Sequence, residues 1–290
     1  MTAHSFRGTG VAMITPFNAK KEIDYPALEK VINHLINGHV NYLVSLGTTG
    51  ETATLSKEEK KQVIDFTVKT IAGRVPMVLG IGGNHTAEII STIEHTNFEG
   101  IAAILSVSPY YNKPNQEGIF QHYKAIGEAS PLPIILYNVP ARTGANMTAE
   151  TTLRIAHHSD KFIGMKEASC DIIQCMKIIK DKPKDFLVIS GDDSYTLPLL
   201  GMGMDGVISV AAHVFPDKFS AMVNAGLKND FDTARKLHYE MLNLMTGIFE
   251  DGSPGGIKAM LHAMGICDNE VRLPLAKVND ALYEKLKKMI

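Results

Sequence analysis

Eight short apolar runs recur along the first ~225 residues of this 290-residue chain, each followed by a stretch of helical period. They are Gly10 to Thr15, Tyr42 to Leu46, Val75 to Ile81, Ile101 to Val107, Ile134 to Tyr137, Phe162 to Lys166, Phe186 to Ser190 and Gly206 to Val210. The runs are near-continuous rather than alternating, so both faces of each strand need cover. Parallel strands joined by right-handed helical crossovers have that need. Eight such units predict an α/β protein, a (β/α)₈ barrel rather than an open doubly wound sheet. Local punctuation agrees. Asp24 and Gly38 bracket a helix in which Tyr25, Leu28, Val31, Ile32, Leu35 and Ile36 recur at helical spacing, and Ser56-Lys57-Glu58-Glu59 is a capping box. After Ala225 no strand pattern follows. Phe231 to Phe249, Gly256 to Met264 and Asn279 to Met289 read as helices, more than one crossover needs. The expected division is a barrel over 1–225 and a helical extension over 226–290 packed on it.

Composition narrows the function. A formal net charge of -2 argues against an electrostatic nucleic-acid binder, and Lys20-Lys21 and Lys285 to Lys288 are most simply solvated faces. No apolar run approaches membrane-spanning length, and Met1-Thr2-Ala3-His4-Ser5 lacks a signal-peptide layout. Cys170, Cys175 and Cys267 are an odd count without ligand spacing, and the eleven histidines form no HExxH pattern. These features predict a cytoplasmic protein with no metal, cofactor, nucleic-acid or membrane partner.

In such a barrel the carboxyl ends of the strands form the active face. The run from Phe162 ends on Lys166. An ammonium at the rim of an apolar strand is poorly solvated, which favours the neutral amine, a nucleophile toward carbonyl carbon. Taken alone, such a lysine usually turns its head to water along an apolar stem. Other strand ends add Thr48 and Thr49 between Gly47 and Gly50, Tyr110 and Tyr111, Tyr137, and Arg142 in the loop beyond it. Each has a plain structural role open to it: threonines beside glycine cap or turn, paired tyrosines pack, a loop arginine is a surface charge. Their joint placement favours one cavity holding a proton carrier, a carboxylate fork and an amine nucleophile, which suits a keto acid.

Two look-alikes are set aside. Gly201-Met202-Gly203-Met204-Asp205-Gly206 matches GxGxxG but precedes a strand, so it is an αβ turn and not a dinucleotide fingerprint. Ile81-Gly82-Gly83-Asn84 precedes a helix but lacks a lysine in Walker spacing, and the Gly191-Asp192-Asp193 loop is acidic, weak grounds for a metal.

The segments Gly47 to Glu51 (GTTGE), Pro109 to Asn112 (PYYN), Tyr137 to Gly144 (YNVPARTG), Gly164 to Ala168 (GMKEA) and Ser190 to Asp193 (SGDD) together resemble the dihydrodipicolinate synthase family over essentially the whole chain. Its superfamily also holds N-acetylneuraminate lyase and 2-keto-3-deoxygluconate aldolase, barrel enzymes that form a Schiff base with pyruvate. Arg142 in its YNVPxRTG context and the pair Thr48-Thr49 select the synthase. The resemblance implies condensation of pyruvate with L-aspartate 4-semialdehyde to 4-hydroxy-tetrahydrodipicolinate, for diaminopimelate and lysine synthesis. It implies Lys166 as the imine-forming lysine and Tyr137 as proton carrier relayed through Thr48 and Tyr111, with Thr49, Arg142, Gly191 and Ile208 binding substrate. Tyr111 would enter a neighbouring subunit across a tight dimer, within a homotetramer built as a dimer of dimers. Gly164 would be small because a side chain there crowds the substrate.

The same resemblance assigns a lysine feedback site to Thr52, Ala53, Lys57, Lys60, Asn84, Glu88 and Tyr110. Lys57 and Lys60 stand where lysine-inhibited members carry histidines, and Thr52 replaces a serine. A cation at Lys60 would repel the ammonium of bound lysine, so weak or absent inhibition is expected. The Ser253-Pro254-Gly255-Gly256 turn replaces an Asn-Pro, a change without a reading. Two rival functions remain, a sugar-acid lyase with the same Schiff-base chemistry and a catalytically silent binding paralogue.

Overall fold

The computed structural model describes residues 3–290, and in it the eight apolar runs close into one parallel barrel. Met1 and Thr2, part of the leader argument above, lie outside the described residues. The strands are β1 Gly8–Ala12, β2 Tyr42–Ser45, β3 Met77–Gly80, β4 Ala103–Val107, β5 Ile134–Asn138, β6 Phe162–Glu167, β7 Leu187–Ser190 and β8 Gly206–Ser209. Each pairs with its sequence neighbour, and β8 closes on β1 through Gly10↔Ile208. The first strand starts two residues before the expected run and stops at Ala12. Beyond it Ile14 leaves the ladder because its amide donates to the ring Nε2 of His213, at 3.2 Å.

Helices α1 Tyr25–Asn37, α2 Lys57–Ile71, α3 Thr86–Glu94, α4 Gln116–Ala129, α5 Pro140–Thr143, α6 Ala149–His158, α7 Ile172–Asp181, α8 Thr196–Gly201 and α9 Pro216–Leu227 follow the strands. The caps read from the sequence are present. Asp24 accepts from the Ala27 amide, and Ser56 and Glu59 form the reciprocal box. Gly201 ends α8 and Gly206 opens β8, so the GxGxxG look-alike is the αβ turn. Then come α10 Phe231–Gly247, α11 Gly255–Ala263 and α12 Asp280–Lys287. Their Met241, Leu244, Met260, Leu261 and Leu282 join the same buried cluster as the helix-facing strand residues Leu43, Met77 and Met165.

A second cluster fills the barrel itself, with Tyr42, Val44, Val78, Ala103, Leu105, Ile135, Tyr137, Leu187, Ile189 and Ile208. At the amino-terminal end the Tyr42 ring lies across the bore and Phe6 meets it edge-on, 5.5 Å between centroids. Gly10 leaves room for that ring, since a Cβ there would lie 2.2 Å from it. The bore is therefore plugged at one end by side chains, and only the carboxyl ends stay available for chemistry.

The β5–β6 ladder is irregular in a way that matters. Ile134 pairs with Phe162, but Ile135 pairs with Gly164, so Ile163 is an extra residue in β6. A bulge shifts the alternation of faces by one. Phe162 and Met165 face the helices, whereas Gly164 and Lys166 share the inner face with Ile135 and Tyr137.

Candidate active site

Tyr137 and Lys166 are Cα partners across β5 and β6. Both are buried, and the Lys166 Nζ lies over the Tyr137 ring, 4.5 Å from its centroid. Among the described residues Lys166 makes no ion pair, and its Nζ is not one of the sealed, unpartnered polar atoms. The amine is thus enclosed by apolar wall yet open toward the barrel mouth. An amine with no carboxylate partner keeps its lone pair available once deprotonated, which a structural lysine does not.

Glycine at 164, two residues earlier on the same face, has a reason in the wall of the barrel itself. A Cβ there would lie 2.8 Å from the Leu187 carbonyl oxygen and 2.9 Å from the Leu187 Cβ. The adjoining strand wall is therefore an obstacle in its own right. Ile208 lines the same bore from β8. Gly191 follows β7, where its amide donates to the Glu167 carbonyl at 2.8 Å and a Cβ would meet the Ala168 Cβ at 2.5 Å.

After β2 the chain makes a 3₁₀ turn over Thr48–Gly50. The Gly50 and Glu51 amides close it onto the Gly47 and Thr48 carbonyls, both at 3.1 Å. The first amides of such a turn, those of Thr48 and Thr49, have no intrahelical acceptor and suit an anion. Thr49 is buried and Thr48 exposed. Glu51 follows in the left-handed region (φ 53°, ψ 33°). Its carboxylate is fully buried, accepting from Lys258 Nζ at 2.5 Å and from the Arg272 amide at 2.9 Å. Burial pulls the pKa of Lys258 down and the Glu51 carboxylate opposes that shift. Removing one member of a buried pair of this kind costs about 3–5 kcal/mol.

Arg142 sits on α5, a short helix where a loop was expected, and its side chain is exposed. Behind the barrel wall that segment is tied to β6. Asn138 Nδ2 donates to both Glu167 oxygens at 3.1 Å and to Asn146 Oδ1 at 2.8 Å, while its Oδ1 accepts from the Met147 amide at 3.0 Å. Gln174 and the Ser169 amide complete the shell around Glu167, whose pKa is raised by burial. The pair Tyr137 and Lys166 inside the barrel therefore has a polar counterpart, Asn138 and Glu167, one residue on and outside it.

Tyr110 and Tyr111 follow β4. Tyr111 is 87% exposed, with φ 73°, and its amide contacts the Thr143 carbonyl at 3.4 Å. Its side chain stands out in solvent, whereas Tyr137 is buried inside the barrel. Thr52 and Ala53 lie on a second 3₁₀ turn, Thr52–Thr54, Lys57 and Lys60 on the start of α2, and Glu88 in the first turn of α3. Asn84 joins Tyr110 by a 3.1 Å bond from its Nδ2 to the Tyr110 carbonyl. The acidic loop after β7 is occupied by its own backbone: Asp193 accepts from Val210 and Ala211 amides at 3.0 and 2.8 Å, and Asp192 from Ser194.

Sequence reasoning left Glu51, Glu167 and Asn138 without roles although they stand inside the quoted motifs, and it passed over Lys258 and Arg272 altogether. The dihydrodipicolinate synthetase family profile matches residues 5–290. A 4-hydroxy-tetrahydrodipicolinate synthase of Parabacteroides distasonis is 52% identical over 286 residues, 99% of this chain and 96% of that protein. Among solved structures, dihydrodipicolinate synthase from Thermotoga maritima superposes with a TM-score of 0.96 at 37% identity, covering 99% of this chain and 98% of the other. The enzyme from Cyanidioschyzon merolae with lysine bound gives 0.95 at 35% identity, over 99% and 97%.

Proposed function

The chain belongs to the dihydrodipicolinate synthetase family, and from that premise we propose how its own residues perform the family's reaction. The protein is a lyase of the class I aldolase type. It condenses pyruvate with L-aspartate 4-semialdehyde to 4-hydroxy-tetrahydrodipicolinate in the diaminopimelate and lysine branch.

Lys166 is the nucleophile. Its amine adds to C2 of pyruvate and water leaves, giving an iminium. The iminium is an electron sink, so a C3 proton departs and an enamine forms. Enamine C3 attacks the aldehyde carbon of the semialdehyde, and the resulting alkoxide takes a proton to become the 4-hydroxyl. The semialdehyde's amine then adds to C2 and expels the Lys166 amine, closing the ring with one water lost overall. Tyr137 is the proton carrier, its ring against Lys166. Thr49 and the free amides of its turn receive the pyruvate carboxylate, and Ile208 and Gly191 bound the same space. Arg142 receives the semialdehyde carboxylate by a fork of two N–H donors.

The observation that carries this reading is the unpaired Lys166 amine held over the Tyr137 ring inside the barrel. Borohydride reduction in the presence of pyruvate, followed by peptide mass spectrometry, tests it. A reduced pyruvyl adduct on Lys166 is expected; no adduct, or one elsewhere, removes the reading.

Catalysis rests on the barrel over 1–225, with the helices over 226–290 packed against it. A homotetramer, a dimer of dimers, is part of the proposal. It is supported by the outward Tyr111, which has no role in its own chain, and by Ile172, Ile173 and Met176, exposed together on α7. Tyr111 and Thr48 complete the proton relay across the tighter interface. A cytoplasmic location suits the biosynthetic branch and three free cysteines. A lysine feedback region at Thr52, Ala53, Lys57, Lys60, Asn84, Glu88 and Tyr110 is part of the same proposal, carried by the family resemblance, with two cations that weaken lysine binding.

A further inference from the structure

We propose that Lys258 is a positioning residue of the active site: through its buried ion pair with Glu51 it holds the Thr48–Thr49 turn in the shape that receives the pyruvate carboxylate. The assignment rests on the role given above to that turn. Lys258 lies on α11, 207 residues from Glu51, and touches no substrate. Its ammonium sits over the Phe17 ring, 4.1 Å from the centroid, in the layer between barrel and helices, and also donates to the Glu270 carbonyl at 2.8 Å.

Three observations point the same way. Glu51 is a non-glycine residue in the left-handed region, a conformation that β-carbon sterics disfavour and that persists only where the surroundings enforce it. Both of its oxygens are taken, one by Lys258 and one by the Arg272 amide, so the carboxylate has no second resting place. Glu51 also closes the turn directly, its amide donating to the Thr48 carbonyl. Around this pair lies a second clamp from the same extension. The Arg272 guanidinium forks onto Glu59 at 2.6 and 3.0 Å and donates to the Thr54 carbonyl at 3.1 Å and the Lys21 carbonyl at 2.9 Å. The segment from Thr48 to the capping box of α2 is thereby fastened from outside by α11 and the strand of chain after it. The inner face of the turn is fixed independently, Thr15 Oγ1 donating to the Gly50 carbonyl at 2.7 Å.

The test is the pyruvate half-saturation of Lys166 adduct formation under borohydride, measured beside thermal melts. General destabilisation lowers the amount of active protein and the maximal yield, but it leaves half-saturation in place. A displaced carboxylate site raises half-saturation. Two variants are informative: the double Lys258→Met/Glu51→Gln, which removes both charges together, and Glu51→Asp, which keeps the pair but shortens its reach by one methylene. In each that folds, half-saturation is expected to rise at least about fivefold while saturating pyruvate still labels Lys166. A folded variant within about twofold of the unaltered protein overturns the assignment. If neither variant folds, the pair is a folding element and the assignment is likewise overturned. An unaltered protein that gives no Lys166 adduct overturns the Schiff-base reading itself, a result separable from a shifted or unshifted titration.

Discussion

Acid should weaken this fold through its buried histidines, His122, His213 and His238, of which His213 is the most completely enclosed. His213 is fully buried at the end of the 3₁₀ turn after β8. Its Nε2 accepts from the Ile14 amide, so its proton sits on Nδ1, which donates to the Val210 carbonyl at 2.8 Å. A second proton on Nε2 would displace the Ile14 bond, and burial, with His34 nearby, holds the pKa down at about 4. In the unfolded chain the group titrates near 6.5. Between these values the unfolded state binds a proton that the native state refuses, so stability falls as pH falls through that window. Full passage is worth about 3.4 kcal/mol, and the step from pH 7 to pH 5 about 1.8 kcal/mol. Guanidinium titrations at the two pH values, on the unaltered protein and on His213→Gln, isolate this contribution. Glutamine is neutral throughout, so its own cost is the same at both pH values and cancels. Glu167 and Asp193, raised by burial, also cancel between the two proteins. The unaltered protein should lose about 1.8 kcal/mol more than the variant on acidification. Equal losses would refute the neutral, Nδ1-protonated assignment.

Arg142→Ala should still form the borohydride adduct at Lys166 yet lose condensation by roughly a hundredfold, as removal of a bidentate carboxylate contact implies; unchanged turnover with aspartate semialdehyde refutes its role. Gly164→Ala should lower stability by about 1–3 kcal/mol through the Leu187 contact, and a melting temperature equal to that of the unaltered protein would show that the wall yields freely. Added lysine should inhibit weakly or not at all because Lys57 and Lys60 bring two cations to its region. A lysine titration of the coupled assay showing inhibition below about 1 mM would reverse that expectation.

The eightfold alternation, the caps at Asp24 and Ser56, and the membership of Lys166, Tyr137 and Thr49 in strand ends were legible because each depends on local pattern. Boundaries set by tertiary contacts were not. The first strand stops at Ala12 because an amide finds a histidine 199 residues away, and α5 forms where Pro140 and Gly144 give a helix too short to show a period. Lys258 was invisible for the same reason. On α11 it reads as an ordinary solvated position, and nothing adjacent announces a carboxylate from the other end of the chain. The Leu187 contact that demands glycine at 164 was hidden too, since residue spacing along one strand does not reveal what the next strand places opposite.

The extra residue at Ile163 turns the catalytic assignment into a matter of counting. Run the same residues through an unbulged ladder from Phe162, and Met165 and Glu167 would face the bore while Lys166 would point beneath the helices. The reactive amine, the tyrosine beside it, and the Asn138–Glu167 latch behind them all depend on that single offset. Anyone grafting this chemistry onto an idealised eightfold barrel must therefore transplant the miscount along with the residues: a faultless strand would carry the same letters and present the wrong side of every one of them.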